Sequence, residues 1–276
     1  MRSIALSQKE IDNLNKEVSK KNLKKVPVLN TYELLRVKDR DIIFVVYKTG
    51  KMVFQESMGI SNFLNSILVR QDNIVIGTDE AGKGEWYGPL VVAAVALTPE
   101  EALALRKMGI GDSKRLSSFR IYEIGNILKT SKIEKEVSIL SPEPYNIMYE
   151  EFKKEGKNLN HILQEMHTQV IYDLLKNLNL QEVTVVIDQF DSSHTVTESG
   201  VLREFKANII QKIGGESEPS VAAASILAKF IFEEEVNQLN HIYDLDLKNV
   251  APEDIPKDRL SSVAKLHFKN VEKAYS

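Results

Sequence analysis

The sequence predicts an α/β fold preceded by a small α+β unit, and three features carry that prediction. Apolar, β-rich runs near residues 74–76, 90–97 and 183–187 alternate with stretches of helical periodicity. Two further β-rich runs, residues 41–47 and 51–55, flank Lys48-Thr49-Gly50, a good hairpin turn. Charge divides near residue 70. The first 70 residues hold 13 Lys and Arg against 7 Asp and Glu, a net of +6, and the rest hold 23 against 32, a net of −9. A chain of 276 residues is long enough for one large domain or two modest ones.

Taken in order, residues 7–24 carry helical spacing through Ile11, Leu14, Val18 and, less regularly, Leu23. Tyr32–Leu35 reads as extended, the hairpin 41–55 follows, and Ser57–Val69 reads as a second helix. Gln71-Asp72-Asn73 is the expected boundary, giving domains 1–71 and 72–276. The second unit opens with two strands arranged as a hairpin about a glycine-rich turn. Thr98-Pro99-Glu100-Glu101 starts a helix with proline at an early position. Helices are then expected at 116–129, 159–178 and 221–238, with strands at 133–140 and 183–188. Ser141-Pro142-Glu143-Pro144 is expected to break the chain.

Composition narrows the function. The chain has no cysteine, so disulfides and thiolate metal sites are excluded. No apolar run is long enough to span a bilayer, and the first residues lack a signal-peptide core, so a cytoplasmic protein is expected. A basic front section joined to an acidic remainder points to a polyanionic partner for the front section, although a lysine-rich solvated helix gives the same pattern.

Asp79 and Glu80 end the apolar run 74–78, immediately before the turn Gly82-Lys83-Gly84. Adjacent carboxylates leaving a core strand are costly to bury unpaired and suit a divalent cation, which takes hard oxygen ligands. Asp188 ends its own β-branched strand in the same way. If the two strands are neighbours, their carboxylates converge and need a cation to offset repulsion. Gly214-Gly215-Glu216-Ser217-Glu218 precedes a helix whose first turns, Val221 to Ala224, are small enough to lie close to a sheet. Gly77-x-x-x-x-Gly82-Lys83 fits most of a P-loop, but position 84 is Gly where Ser or Thr is needed, and a strand-like run follows where a helix is needed. The five histidines have no metal-ligand spacing, and His167, at helical spacing after Leu163, is expected to pack or cap.

Thr78-Asp79-Glu80-Ala81-Gly82-Lys83-Gly84, Tyr87-Gly88-Pro89, Asp112-Ser113-Lys114, Val186-Ile187-Asp188-Gln189-Phe190 and Ala222–Lys229 together resemble the type 2 ribonucleases H. Thr49–Gln55, Asn158-Leu159-Asn160 with His167, and Val263–Asn270 resemble the HIII branch in particular. The resemblance implies an RNase H-like mixed sheet flanked by helices, with a small TATA-binding-protein-like domain in front. It implies endonucleolytic cleavage of the RNA strand of an RNA–DNA hybrid by two-metal catalysis with Mg²⁺ or Mn²⁺, leaving 5′-phosphate and 3′-hydroxyl ends. Asp79, Glu80, Asp188 and Glu216 are the implied catalytic ligands. The spacing before Ala222 departs from the family by one residue and keeps Glu218 in reserve. Gly82, Lys83, Gly84, Ser113, Lys114 and Ser225 are the implied substrate contacts, and a monomer is expected. No tyrosine motif of the HII branch stands near Val263–Asn270, so weak cutting at a single embedded ribonucleotide is expected. HII-like junction cleavage and a non-catalytic nucleic-acid-binding module are the competing readings.

Overall fold

The computed structural model describes residues 1–68, 74–110, 116–178, 183–188, 200–205, 207–212 and 214–275. The chain divides into two compact units, residues 1–74 with 97–116, and residues 75–96 with 117–276. The expected boundary at 71–73 lies outside the described residues.

The first unit is a four-stranded antiparallel sheet in the order β1-β4-β3-β2, formed by β1 (Arg2–Ala5), β2 (Glu33–Asp39), β3 (Ile42–Tyr47) and β4 (Lys51–Phe54). Helices α1 (Gln8–Lys20), α2 (Met58–Leu68) and α3 (Pro99–Met108) belong with it. Alternation along β3 and β4 buries Phe44, Val46, Met52 and Phe54 against Ile11, Leu14, Val18, Ile60, Phe63 and Leu64. Ser7 and Glu10 form a capping box that starts α1. The same Glu10 accepts a two-pronged ion pair from Arg106 of α3 at 2.7 and 3.1 Å. Charge and hydrogen bonds from Arg106 and Ser7 outweigh burial and hold Glu10 below the usual carboxylate range.

The second unit has a five-stranded mixed sheet in the order β7-β6-β5-β8-β9. Its strands are β5 (Val75–Ala81), β6 (Leu90–Leu97), β7 (Lys135–Leu140), β8 (Val183–Asp188) and β9 (Ala207–Lys212). β6 and β7 pair antiparallel, whereas β5 with β8 and β8 with β9 are parallel. Its helices are α4 (Ser118–Thr130), α5 (Pro142–Lys154), α6 (Leu159–Leu178), α7 (Pro219–Tyr243), α8 (Lys257–Val263) and α9 (Lys269–Tyr275). β6 is buried along its whole length, as a central strand should be. Ser141-Pro142 does not break the chain. Ser141 is the N-cap of α5 and Pro142 occupies its first turn, where a missing N–H costs nothing.

Helix α7 lies directly on β5. A Cβ at Gly77 would stand 2.1 Å from the Val221 nitrogen and 2.2 Å from the Ser220 carbonyl carbon. Glycine on the strand and Val221, Ala222, Ala223 and Ala224 on the helix let the two backbones meet. This contact brings the start of α7 beside the end of β5.

Candidate active site

Strand pairing decides where the carboxylates go. The β5–β8 register runs Val75 with Thr184 through Thr78 with Ile187. Asp79 and Asp188 each follow that last pair by one residue, so the two stand side by side near the C-terminal ends of neighbouring parallel strands. Asp79 Oδ1 accepts from the Glu80 N–H at 2.8 Å, and its carboxylate accepts from the Ser225 hydroxyl of α7. Asp188 Oδ1 accepts from the Gly215 N–H at 2.8 Å. Burial, then the Glu80 charge and to a lesser degree that of Asp188, push Asp79 up to about 7, against the pull of its hydrogen bonds.

Side chains alternate along a strand, so Gly77 and Asp79 face α7 while Thr78 and Glu80 face the other layer. There His167 of α6 is fully buried. Its Nδ1 lies 2.9 Å from Thr78 Oγ1 and its Nε2 lies 3.3 Å from Glu80 Oε2. A hydroxyl donating to Nδ1 leaves the ring proton on Nε2, where it is donated to the carboxylate. Lys83 Nζ stands 3.7 Å from Glu80 Oε1 on the other side. Burial raises Glu80, but His167 and Lys83 outweigh it and hold Glu80 below its ordinary value. Among the described residues no three carboxylate or imidazole groups are gathered closely enough to chelate one ion, with Glu80 drawn toward His167 and Lys83.

The glycine turn that follows is held from two sides. Gly82 has φ +88°, and a Cβ there would meet the Pro89 carbonyl at 2.2 Å. Gly88 has φ +70°, with Val236 2.7 Å from where its Cβ would be. Gly84 is exposed, and among the described residues nothing lies within 4 Å of where its Cβ would be. Behind the turn, Lys265 is 1% exposed and its Nζ donates to the carbonyls of Glu85, Tyr87 and Gly88 at 3.0, 3.0 and 2.7 Å. Burial pulls this lysine down to about 7, the Glu85 charge opposing.

The structure brings Asp79, Glu80, Asp188, Gly82, Lys83, Gly84 and Ser225 into one region, with Ser225 bonded to Asp79. Glu216 lies in a 3-10 turn, Gly215–Ser217, whose first residue bonds Asp188, and its side chain is outside the described residues. Glu218 is the N-cap of α7 without a side-chain capping bond. Ser113 and Lys114 lie outside the described residues. The P-loop reading falls, because Gly77 to Ala81 are strand and β6 rather than a helix comes next. His167 does more than pack. Its partner Glu80 is 87 positions away, and no local pattern marks such a pair.

The ribonuclease HII family model matches residues 76–271. The chain belongs to the ribonuclease HII family. A ribonuclease HIII of Chlamydia felis is 31% identical over 264 residues, spanning 86% of this chain and 86% of that protein. A ribonuclease HIII of Streptococcus pneumoniae is 33% identical over 249 residues, spanning 83% of each. The fold is similar to that of Bst-RNase HIII in complex with Mn²⁺, with a TM-score of 0.66 at 25% identity over 99% of this chain and 97% of that one. The RNase H3 of Aquifex aeolicus shares the fold, with a TM-score of 0.58 at 22% identity over 97% of this chain and all of that one. The protein is thus a ribonuclease H, a metal-dependent endonuclease acting on RNA–DNA hybrids. Among the described residues no helix of this ribonuclease is long and apolar enough to cross a membrane.

Proposed function

We propose that Asp79, Glu80, Asp188 and Glu216 hold the Mg²⁺ or Mn²⁺ on which hydrolysis of the RNA strand depends. The observation that carries this is the pair Asp79 and Asp188 side by side on neighbouring parallel strands, where burial first, then the charge of Glu80 and in smaller part that of Asp188, push Asp79 up to about 7. A divalent cation offsets such charge, and carboxylate oxygens are its preferred ligands. The Mn²⁺ named with Bst-RNase HIII supports a divalent cation as the cofactor. When bound, the ions supply an activated water and neutralise charge on the scissile phosphate and the leaving 3′-oxygen, giving 5′-phosphate and 3′-hydroxyl ends.

The chain's own groups prepare the site. Ser225 and the Glu80 N–H orient Asp79, the Gly215 N–H orients Asp188, and His167 orients Glu80. Gly82 is glycine for the turn, whereas the open space at Gly84 leaves room for a sugar and its 2′-hydroxyl. Lys83 meets phosphates, and the family resemblance assigns substrate contacts to Lys114 and Ser113 as well. The first unit grips the hybrid. By register Arg36, Val45 and Val53 share the sheet face opposite the core, with Lys38 and Ile43 beside them; Arg36 is paired with Glu33 at 2.6 Å, so the exposed Lys38 carries the basic character of this otherwise apolar face toward a nucleic-acid backbone. Tyr47 is half-buried, whereas Phe54 belongs to the core and takes no part. The enzyme acts as a cytoplasmic monomer that prefers runs of ribonucleotides over a single embedded one.

The test is cleavage of an end-labelled RNA–DNA hybrid in Mg²⁺ or Mn²⁺ by wild type and Asp79→Asn. RNA-strand cuts that vanish in the variant support the assignment. Equal cutting by both proteins removes Asp79 from the metal site. Tight binding with no cuts in either makes the chain a binding module.

A further inference from the structure

We propose that Lys265 is a positioning residue for hybrid binding. Its buried ammonium fixes the backbone of residues 85–88 and thereby the way the neighbouring Lys83-Gly84 meets the nucleic acid. This rests on the reading above that the glycine turn contacts the hybrid.

An ammonium has three hydrogens, and here each has a carbonyl: those of Glu85, Tyr87 and Gly88. The Lys265 N–H donates to the fourth, Trp86, at 2.7 Å. Four consecutive carbonyls of the loop thus end on one residue. The flanking chain joins in. The Gly88 N–H donates to the Val263 carbonyl at 2.9 Å, and Tyr87 forms an antiparallel bridge with Ala264. The segment 263–265 is clamped in turn by Asn146 of α5. Its Nδ2 donates to the carbonyls of Ser261 and Ala264 at 3.1 and 2.9 Å, and its Oδ1 accepts from the Leu266 N–H at 2.8 Å. Packing alone does not require a charge at this place. Burying a cation is costly and lowers the pKa of Lys265, whereas the three carbonyl acceptors favour the charged form and hold it as the ammonium. A neutral apolar side chain fills the same volume without that cost. What the ammonium adds is direction, because it turns successive peptide planes of the loop toward one point. Lys265 touches none of the carboxylates Asp79, Glu80 or Asp188 through its own hydrogen bonds, so its effect falls on substrate binding and leaves the metal ligands alone.

The experiment uses the full chain and compares wild type, Lys265→Met, Asn146→Ala and Gly84→Leu. KM and kcat on an RNA–DNA hybrid are measured in Mn²⁺, and Mn²⁺ binding is followed by calorimetry without nucleic acid. Lys265→Met keeps the stem and removes the donors. KM is expected to rise about tenfold or more, with kcat changed by less than about threefold and the Mn²⁺ isotherm unaltered. Asn146→Ala loosens the segment without touching Lys265 and shifts KM in the same direction. It carries the test if Lys265→Met fails to fold. A merely structural role lowers the active fraction, hence kcat, and leaves KM in place. Wild-type KM in both Lys265→Met and Asn146→Ala, with KM raised in Gly84→Leu, overturns the role of Lys265 alone. Wild-type KM in all three variants overturns the loop as a hybrid contact, and this inference with it.

Discussion

Replacing a catalytic carboxylate should make the metal-free protein more stable. Asp79 is ordinarily a carboxyl of pKa 3.8, and burial and the Glu80 charge push it up to about 7. Between those two values the folded protein holds a proton that the unfolded chain has released. Stability therefore falls as pH rises through that window and levels off above about 7. At about 1.4 kcal/mol for each tenfold change in proton affinity, the whole displacement is worth about 4 kcal/mol. Local relaxation and the high effective dielectric near a strand end reduce this to about 1–3 kcal/mol. Asp79→Asn removes the charge and keeps the shape, and its amide oxygen still accepts from the Glu80 N–H. Urea unfolding in EDTA, read by the single tryptophan Trp86, should show the variant more stable than wild type at pH 8 and close to it at pH 4. Added Mn²⁺ should then stabilise wild type more than the variant and close or reverse the gap. Equal midpoints at pH 8, or a gap as wide at pH 4, would refute the account of a buried carboxylate crowded by its neighbour.

Other outcomes follow from single contacts. His167→Ala leaves Glu80 without its imidazole donor and should weaken Mn²⁺ binding about 10- to 100-fold by calorimetry. Gly77→Ala drives a Cβ to 2.1 Å from the Val221 nitrogen and should cost more than about 4 kcal/mol, seen as loss of cooperative unfolding of the second unit. Gly84→Leu should leave the melting curve unchanged while KM for hybrid rises, since no described residue lies within 4 Å of a Cβ at that position. Lys25→Ala with Lys38→Ala in the first unit should lower the slope of log affinity against log salt by about 2, leaving Mn²⁺ binding as it was.

The parts of this fold that repeat or alternate are legible in the sequence. The hairpin 41–55, the long helix 159–178 and the strand 183–188 stand where periodicity puts them. Short or one-sided elements are not. β1 has four residues and becomes a strand only because β4 is there to pair with it. β9 is likewise fixed by β8. α5 is hidden because prolines at 142 and 144 look like a break until Ser141 is seen as a cap. In the site, Asp79, Glu80 and Asp188 are visible as carboxylates ending apolar runs, a local property of each strand. His167 and Lys265 are not, because each acts on a partner more than 80 residues away and looks like an ordinary helix or tail residue from its neighbours.

The glycines around β5 show why residue type alone does not separate fold from function. Gly77, Gly82, Gly84 and Gly88 stand within twelve positions and look alike in the sequence. A Cβ at Gly77 would strike helix α7, and at Gly82 and Gly88 a positive φ and close neighbours would resist it. Those three are answered inside the protein. Gly84 has no positive φ and no neighbour among the described residues, so these place no demand for glycine there. It sits between a lysine paired with Glu80 and a loop whose four carbonyls are bound by Lys265. A bare backbone held that firmly and facing open space is what close approach of a nucleic-acid strand requires.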